Sequence, residues 1–473
     1  MIPLTLPEIA AVVGGEVHDD TGVTVTGPAF VDSRVAELGG LFVAFAGENV
    51  DGHAYAAAAL EAGAAAVLGT RPVGLPAVVV ADPLDALGRL ARHVLARLPQ
   101  VRVVALTGSQ GKTSTKDLLA GVLAESGTTV ATAGSFNNEI GLPLTVLRAD
   151  AATENLVLEM GARGIGHLRD LCAVAPPLVS LVLNVGKAHI GEFGSQEAIA
   201  QAKGELVDAL TEKGTAVLNA DDPLVLAMAG RSRGAVLTFG ESSRADVRLE
   251  NLTLDELGRP RFDLVTGTDR AHVEMRLVGE HHALNATAAA AAALALGVPL
   301  ADCARALTAA RASRWRMEVH ERADGVTVIN DAYNANPDSM RAALKALAAV
   351  GRGRGPDTRT VAVLGEMREL GESSRDEHDA LGRLAVRLDI HQLLVVGEPA
   401  RPMHLGACLE GSWGEESVFV EDNAHALAWL QEHVAPGDVV LLKASRAAAL
   451  ETVAEALLAD DPGQDPGPKE SPR

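Results

Sequence analysis

The segment VRVVALTGSQGKTSTKDLL, residues 101–119, indicates most clearly how the middle of this chain folds. Its first six residues are almost all apolar, as in a buried strand, and a helical pattern of leucines follows the glycines. The turn between them therefore joins the end of a strand to the N-terminus of a helix. Backbone amides at such a turn bind phosphate groups, so the pattern predicts a nucleotide-binding P-loop. The residues predicted to contact ATP are Thr107, Gly108, Ser109, Gln110, Gly111, Lys112 and Thr113.

Two side chains of this loop have predicted roles in handling charge. Lys112 would reach the outer phosphates, and the Thr113 hydroxyl would bind Mg²⁺. The loop is a shorter variant of the common pattern, because Leu106 stands where that pattern has its first glycine. The alternative is a glycine turn with a solvated lysine, which the flanking strand and helix disfavour. The loop indicates nucleotide binding and says little about the reaction.

The chain, at 473 residues, is too long for a single core and divides into three blocks. Apolar strands alternate with helical patterns in the second and third blocks, which is typical of parallel sheets covered by helices. The predicted fold class is α/β, with a small mixed α/β N-terminal domain, a central P-loop ATPase-like doubly wound parallel sheet and a C-terminal Rossmann-like domain. The predicted bounds are 1–99, 100–313 and 314–460, followed by a disordered tail at 461–473.

The predicted elements follow the same pattern. The first block mixes short strands with one alanine-rich helix at 54–62. The predicted strands of the later blocks are 101–106, 155–159, 178–185, 216–219, 326–330, 360–364, 393–396 and 438–442.

Charge and composition exclude several classes of protein. A net charge of −21 argues against a surface for nucleic acid or an anionic membrane, since both require clustered lysine and arginine. The three cysteines are far apart, which fits a reducing cytosol better than a disulfide framework. The N-terminus lacks the basic region of a signal peptide, and the alanine-rich stretch 286–300 is typical of a buried helix. We therefore expect a cytoplasmic protein.

Two residues at predicted strand ends could bind a metal ion. Glu159 ends the apolar strand 155–159, where P-loop proteins often place a carboxylate for Mg²⁺. A surface glutamate at a strand end is about equally plausible. His189 follows the strand 178–185, at the rim where doubly wound folds bind ligands, although a loop histidine is more often structural.

Lys203 lies on the apolar stripe of a predicted helix that Ser195 would cap. The ordinary interpretation is a lysine at the edge of the stripe that extends to water. The alternative is a desolvated lysine whose amine reacts with CO₂, giving a carbamate that binds a second Mg²⁺. Periodicity alone does not choose between them.

Taken in order and spacing, these residues and others resemble the Mur ligases over essentially the whole chain except the tail. The segments that carry the resemblance are Asp32-Ser33-Arg34, 42–49 with Asp51-Gly52-His53, TGSQGKTSTKD from Thr107, 135–143, Glu159-Met160-Gly161-Ala162, 184–189, 279–285, 331–337, Leu364-Gly365-Glu366-Met367 and Lys443-Ala444-Ser445-Arg446.

The resemblance implies an ATP-dependent ligase that activates a carboxylate as an acyl phosphate and then forms an amide bond. It implies that Lys112, His189 and Lys203 are catalytic. It also implies two Mg²⁺ ions, one held by Thr113 and Glu159 and the other by His189 and a carbamylated Lys203. A monomer is expected for the family.

The resemblance also assigns binding roles to other residues. Asn285 would contact adenine, and Arg316 and Asp331 would close over the phosphates and ribose. Ser33 and Arg34 would lie nearest the UDP end of the precursor. Asn137 and Asn138 lie where the family recognises its peptide substrate.

Among the Mur ligases, the loop with Asn334 and Asn336 suits the members that add D-alanyl-D-alanine to UDP-N-acetylmuramoyl-tripeptide. The Asp-Asn-Pro-Arg motif of the diaminopimelate-adding members is absent. Members that add a single amino acid, or a nucleotide switch without ligase chemistry, are the alternatives.

One departure from the family pattern concerns the nucleotide-binding arginine. Trp315 precedes Arg316 where a family glycine is expected, so the neighbouring Arg314 competes for the same role.

Overall fold

The computed structural model describes residues 1–47, 50–134, 136–186, 193–411 and 416–460. Within these ranges the strands form four sheets, which occupy three successive parts of the chain. A two-stranded and a five-stranded sheet come first, a nine-stranded sheet follows, and a six-stranded sheet comes last. We call these parts the N-terminal, central and C-terminal domains. The predicted three-domain α/β architecture is confirmed, whereas the predicted tail lies outside the described residues.

The N-terminal domain is a small mixed α/β unit. In its larger sheet, in the order β2-β7-β6-β5-β4, the β2–β7 pair is antiparallel and the others are parallel. The predicted alanine-rich helix is present, but two further helices with N-capping residues Thr5 and Asp82 were not predicted. The elements are β1 (Leu4–Thr5), α1 (Leu6–Val13), β2 (Glu16–His18), β3 (Thr24–Val25), β4 (Ala29–Phe30), β5 (Leu41–Val43), α2 (Ala56–Glu61), β6 (Ala66–Gly69), β7 (Ala77–Val79) and α3 (Pro83–Ala96).

The central domain begins with the strand that opens the P-loop. Its strands are β8 (Arg102–Thr107), β9 (Thr129–Ala131), β10 (Asn155–Glu159), β11 (Val179–Val182), β12 (Thr215–Asn219), β13 (Ala235–Gly240), β14 (Val247–Leu254), β15 (Pro260–Thr266) and β16 (Asp269–Glu274). Its helices are α4 (Lys112–Ala124), α5 (Gly141–Val146), α6 (His167–Val174), α7 (Gln196–Asp208), α8 (Pro223–Leu226), α9 (His281–Ala295) and α10 (Leu300–Ala309).

The central sheet is mixed rather than purely parallel. In the order β16-β15-β14-β13-β12-β11-β8-β10-β9, every pair from β14 to β9 is parallel, as predicted. At one edge, β15 pairs with β14 and β16 pairs with β15 in antiparallel orientation, and these three strands were not predicted. Their residues alternate between buried and exposed positions, so they lack the continuous apolar run that identifies a buried parallel strand.

The C-terminal domain has the predicted second parallel sheet. Its order is β17-β18-β22-β19-β20-β21, with β17 antiparallel at one edge. The elements are β17 (Glu318–Glu321), β18 (Thr327–Asn330), α11 (Pro337–Arg354), β19 (Thr360–Leu364), α12 (Ser374–Arg387), β20 (Gln392–Val396), α13 (Arg401–Glu410), β21 (Ser417–Val420), α14 (Asn423–His433), β22 (Val439–Lys443) and α15 (Glu451–Ala459).

Small side chains let the helices of the central domain approach the sheet closely. The alanine-rich helix α9 is buried along most of its length and packs against α4 and the strands β11 to β15. Each alanine buries little area alone, but a fully buried helix makes close contacts on every side. Among the described residues, no helix combines the length and the apolar character needed to cross a membrane.

Candidate active site

The P-loop turns where a strand of the central sheet ends and α4 begins. Gly111 is the N-cap of α4 and has a φ of +78°, a conformation that favours glycine. A Cβ atom at this position would lie 2.6 Å from Asn285 Oδ1, so the glycine also allows α9 to approach the loop. The two predicted nucleotide-binding elements, the loop and Asn285, therefore lie in direct contact.

Asn184 holds the shape of the loop from the neighbouring strand end. Its Oδ1 accepts hydrogen bonds from the backbone amides of Ser109 at 2.9 Å and Gln110 at 3.0 Å. Its Nδ2 donates to the Gln110 carbonyl at 3.2 Å, and the Gly186 amide donates to Ser109 Oγ at 2.9 Å. These bonds fix the loop in advance of ligand binding.

Lys112 folds back over the loop. Its Nζ donates to the Gly108 carbonyl oxygen at 2.7 Å. Burial lowers the pKa of this ammonium group, Glu159 raises it and Arg316 lowers it. A nearby anion, such as a phosphate group, would therefore stabilise the charged form of Lys112.

Thr113, Glu159, Asn137 and Arg316 form one connected cluster. Thr113 Oγ1 donates to Glu159 Oε2 at 2.7 Å, and Asn137 Nδ2 donates to Glu159 Oε1 at 2.7 Å. Arg316 Nη2 lies 2.8 Å from Thr113 Oγ1. Glu159 is only 1% exposed, so the interpretation of Glu159 as a surface residue is wrong.

The oxygen atoms of this cluster suit Mg²⁺. A hydroxyl and a carboxylate are hard ligands, and Mg²⁺ is usually bound by one or two such groups together with substrate phosphates. Thr113 is 5% exposed and stands at the first turn of α4, beside the loop that would hold those phosphates. The chemistry of the donor set therefore fits the predicted ion.

Lys203 lies inside the central domain on α7, whose N-cap is Ser195, as predicted. The lysine is 6% exposed, so it does not extend to water. Burial lowers its pKa well below the usual value, and the positive charge of Lys112 lowers it further. These conditions favour a neutral amine. His189, the second predicted ligand of the same metal ion, lies outside the described residues.

Asp331 directly follows β18 and contacts two other segments of the C-terminal domain. Its Oδ1 accepts a hydrogen bond from the Met317 amide at 3.1 Å, and its Oδ2 pairs with Lys443 Nζ at 2.7 Å. Through Met317 it is linked to the turn that carries Arg316. We find the guanidinium of Arg316 stacked over the Tyr333 ring at 4.0 Å.

Arg314 and Arg316 contact different parts of the molecule. The Arg314 side chain is 71% exposed and pairs with Glu455 at 3.1 Å on the C-terminal domain. Arg316 instead crosses to the P-loop.

Several predicted substrate-binding residues have structural contacts of their own. Asn138 Oδ1 accepts from the Gly141 amide at 2.9 Å, and Asn336 caps α11. Asn334 is exposed on the loop before α11, and its carbonyl oxygen accepts from Lys443 Nζ at 2.9 Å. Arg34, in the turn with Ser33, is 87% exposed and pairs with Asp32. None of these contacts joins Asn138, Asn334, Asn336 or Arg34 to the cluster of Thr113 and Glu159.

Some residues that shape the site have no role predicted from the sequence. Asn184 and Lys443 fell within segments of the resemblance but received no role. The adjacent histidines His281 and His282 begin α9, with ring centroids 4.2 Å apart. His282 is 1% exposed and neither ring nitrogen has a hydrogen-bond partner among the described residues. A polar pair at the start of an otherwise alanine-rich helix is the signal that could have identified them.

Comparison with known families gives matches along most of the chain. Residues 29–94 match the Mur ligase family catalytic domain, residues 106–293 the Mur ligase middle domain and residues 315–446 the Mur ligase glutamate ligase domain.

Curated relatives and solved structures agree with these matches. UDP-N-acetylmuramoyl-tripeptide–D-alanyl-D-alanine ligase of Mycobacterium tuberculosis is 49% identical over 98% of this chain and 99% of its own length. The enzyme of the same name from Escherichia coli is 34% identical over 97% and 99%.

Among solved structures, MurF from Acinetobacter baumannii has a TM-score of 0.85 at 32% identity, covering 97% of this chain and 99% of its own. MurF ligase from Thermotoga maritima in complex with ADP has a TM-score of 0.78 at 30% identity, covering 92% and 98%. The chain belongs to the Mur ligase family.

Proposed function

We propose that this protein is an ATP-dependent ligase that joins D-alanyl-D-alanine to UDP-N-acetylmuramoyl-tripeptide, a step of peptidoglycan precursor synthesis. The similarity to ligases of that name extends over nearly the whole length of both chains. The observation that carries the proposal is the contact of Arg316, from the C-terminal domain, with Thr113 beside the P-loop. A site assembled from two domains can hold a reactive intermediate away from water.

The reaction requires activation because a carboxylate is a poor electrophile. The terminal carboxylate oxygen of the tripeptide attacks the γ-phosphorus of ATP, the bond to ADP breaks, and an acyl phosphate forms. The amine of the dipeptide then attacks the acyl carbon, the C–N bond forms, and phosphate leaves with the former carboxylate oxygen. Lys112, on the P-loop, and Arg316, beside Thr113, would offset the charge of the phosphate oxygens, and their contacts with this loop support that role.

Two metal ions belong to the proposal. Thr113 and Glu159 would hold the first, and His189 together with a carbamylated Lys203 would hold the second. Bound Mg²⁺ supplies electrostatic stabilisation where negative charge from phosphate and carboxylate accumulates. The burial of Glu159 and Lys203 supports this assignment, since both would otherwise be costly to keep in the interior.

The remaining assignments concern the substrates and the domains. We propose that residues 1–99 bind the UDP end of the precursor through Ser33 and Arg34, and that Asn137 and Asn138 contact the peptide. Asn285 and Asp331 would bind the nucleoside, and the loop with Asn334 and Asn336 would meet the incoming dipeptide. We also propose that the central ATP-binding domain spans residues 100–313 and that the C-terminal domain spans residues 314–460. The use of ATP and the free cysteines support a cytoplasmic location.

An acceptor panel tests the proposal. Purified protein is given Mg·ATP, UDP-N-acetylmuramoyl-tripeptide and either D-alanyl-D-alanine or single amino acids, and products are identified by mass. We expect ADP and a UDP-linked pentapeptide only with the dipeptide. Product with a single amino acid would assign the chain to another Mur-type activity. ADP formed at the same rate without either substrate would favour a nucleotide switch.

A further inference from the structure

The turn that carries Arg316 has an unusual backbone. The residues on either side of it, Trp315 and Met317, have φ values of +58° and +50°. Bulky side chains rarely adopt this left-handed conformation, and it persists where the surroundings hold it. The turn is therefore kept in place by contacts rather than by its own conformational preference.

The Trp315 side chain supplies several of those contacts. Two guanidinium groups lie over its ring, with Arg314 Cζ 4.5 Å and Arg446 Cζ 4.4 Å from the ring centroid. Its Nε1 donates to Glu455 Oε1 at 3.1 Å, and Arg314 pairs with the same carboxylate. We call Trp315, Arg314, Arg446 and Glu455 the tryptophan clamp. All four residues belong to the C-terminal domain.

The backbone of Trp315 makes two further hydrogen bonds, one of them to a residue that contacts Arg316. Its amide donates to Glu318 Oε2 at 2.9 Å, and its carbonyl oxygen accepts from the Tyr333 amide at 3.2 Å. The Tyr333 ring supports the guanidinium of Arg316. The clamp, the turn and the arginine thus form one continuous set of contacts from α15 to Thr113.

We propose that Trp315 is a positioning residue for Arg316. By fixing the turn to the C-terminal domain, it makes Arg316 move with that domain and reach the P-loop at the correct place when the two domains meet. The inference rests on the proposed function for its kinetic readout. A glycine would adopt this φ freely but would leave the turn without the ring and its hydrogen bond. The clamp therefore sets the affinity for ATP without touching it.

The test compares variants in and around the clamp. Trp315→Leu removes the aromatic faces and the N–H, Trp315→Phe keeps a ring, and Glu455→Ala removes the acceptor without changing the strained residue. Trp429→Leu is the matched control, because Trp429 stacks on His433 in α14, with ring centroids 4.4 Å apart and outside the clamp. Steady-state kinetics are combined with calorimetric binding of a non-hydrolysable ATP analogue.

We expect Trp315→Leu to raise the KM for ATP and the analogue Kd about tenfold, with the KM for the UDP-linked tripeptide unchanged. Glu455→Ala should have the same selective effect at about threefold, and Trp315→Phe should recover most of the loss. The control should match wild type. In an Arg316→Ala background, Trp315→Leu should add no further loss, because the two residues act as a unit.

Independent, additive losses from Trp315→Leu and Arg316→Ala would overturn the inference. So would an unchanged analogue Kd in both Trp315→Leu and Glu455→Ala, even if melting temperatures fell. If wild-type protein binds the analogue but forms no pentapeptide, the proposed function fails while the binding comparison still tests the clamp.

Discussion

Lys203 is a single residue whose burial has a chemical consequence. It lies on the apolar side of α7, and burial together with Lys112 lowers its pKa well below the ordinary range. A neutral amine in this position can react with CO₂, which is the reason for assigning a carbamate to it. The sequence predicted the position of Lys203 on the apolar stripe, but only packing shows that the side chain stays inside.

Replacement of Lys203 by alanine should reduce ligation by about a hundredfold or more, because the proposed carbamate ligand of the second Mg²⁺ would be lost. High concentrations of formate or acetate should restore part of the activity by supplying a carboxylate in the space left by the side chain. Product formation followed by chromatography checks both effects. Lys213→Ala, which removes an exposed lysine in the turn after α7, is the control. Full activity of Lys203→Ala would contradict the carbamate.

We expect the burial of His281 to make the stability of the protein depend on pH. Burial lowers its pKa from 6.5 to about 4, while Asp331 acts in the opposite direction and Lys443 in the same one. The unfolded chain therefore takes up a proton first as the pH falls, so stability contributed by neutral His281 is complete above about pH 6.5 and is lost toward pH 4. The loss is on the order of 1–3 kcal/mol.

We expect His281→Gln to flatten the fall of the melting temperature between pH 6.5 and 4, the range set by the same pKa shift. His425→Gln is the control. The hydrogen bond of His425 to Asp422 raises its pKa, so it stabilises the fold at low pH and this replacement should not relieve the acid loss. Differential scanning calorimetry over a pH series makes the comparison. Parallel curves for wild type and His281→Gln would show that His281 does not carry the effect.

At the scale of elements, the P-loop depends on how α4 and α9 meet. Gly111 has a left-handed φ, and a side chain there would reach Asn285 Oδ1. Gly121, in the same helix, has open space around it and an ordinary helical position. Alanine substitutions at the two positions therefore distinguish an effect on the P-loop from a general effect on the stability of α4.

Gly111→Ala should weaken binding of ATP by about tenfold or more, because an L-residue in this conformation costs about 1–2 kcal/mol and Asn285 must also move. Gly121→Ala should leave ATP binding unchanged and stabilise the helix by roughly 0.5–1 kcal/mol. Calorimetric titration and thermal melts measure both. Equal ATP affinity in the two variants would contradict the assigned role of the loop.

The elements differ in how well their sequences identify them. The strand before the P-loop and the strand ending at Glu159 have continuous apolar runs, and both were predicted closely. Strands β14 to β16 alternate in burial and were missed, as were α1 and α3, which are short or mixed in polarity. Contacts between distant segments, such as Arg316 with Thr113 or Asn184 with the loop, come from tertiary packing and leave no local pattern.

At the scale of the whole molecule, the C-terminal domain meets the central domain at the nucleotide site. Arg316 contacts Thr113, and a Cβ atom added to Gly186 would lie 2.6 Å from Asp338 Oδ2. The contacts at the nucleotide site are polar, whereas Val278 of the central domain packs into the hydrophobic core of the C-terminal domain. Because the polar contacts lie where the nucleotide would bind, we expect the relative position of the two domains at this site to depend on ligands.

Binding of a non-hydrolysable ATP analogue with the UDP-linked tripeptide should therefore make the protein more compact. Small-angle scattering should show a smaller radius of gyration with ligands than without them. In Arg316→Ala the change should be smaller, because the contact that joins the domains at the P-loop is lost. The same scattering curve with and without ligands would count against ligand-dependent closure.

A Mur ligase uses ATP to convert a carboxylate into an acyl phosphate before the amide bond forms. The most direct measurement starts with tripeptide precursor labelled with ¹⁸O in its terminal carboxylate and follows the label during ligation with D-alanyl-D-alanine. We expect each inorganic phosphate formed to carry one oxygen from that carboxylate, as mass spectrometry would show. Unlabelled phosphate, released while the amide forms, would contradict it.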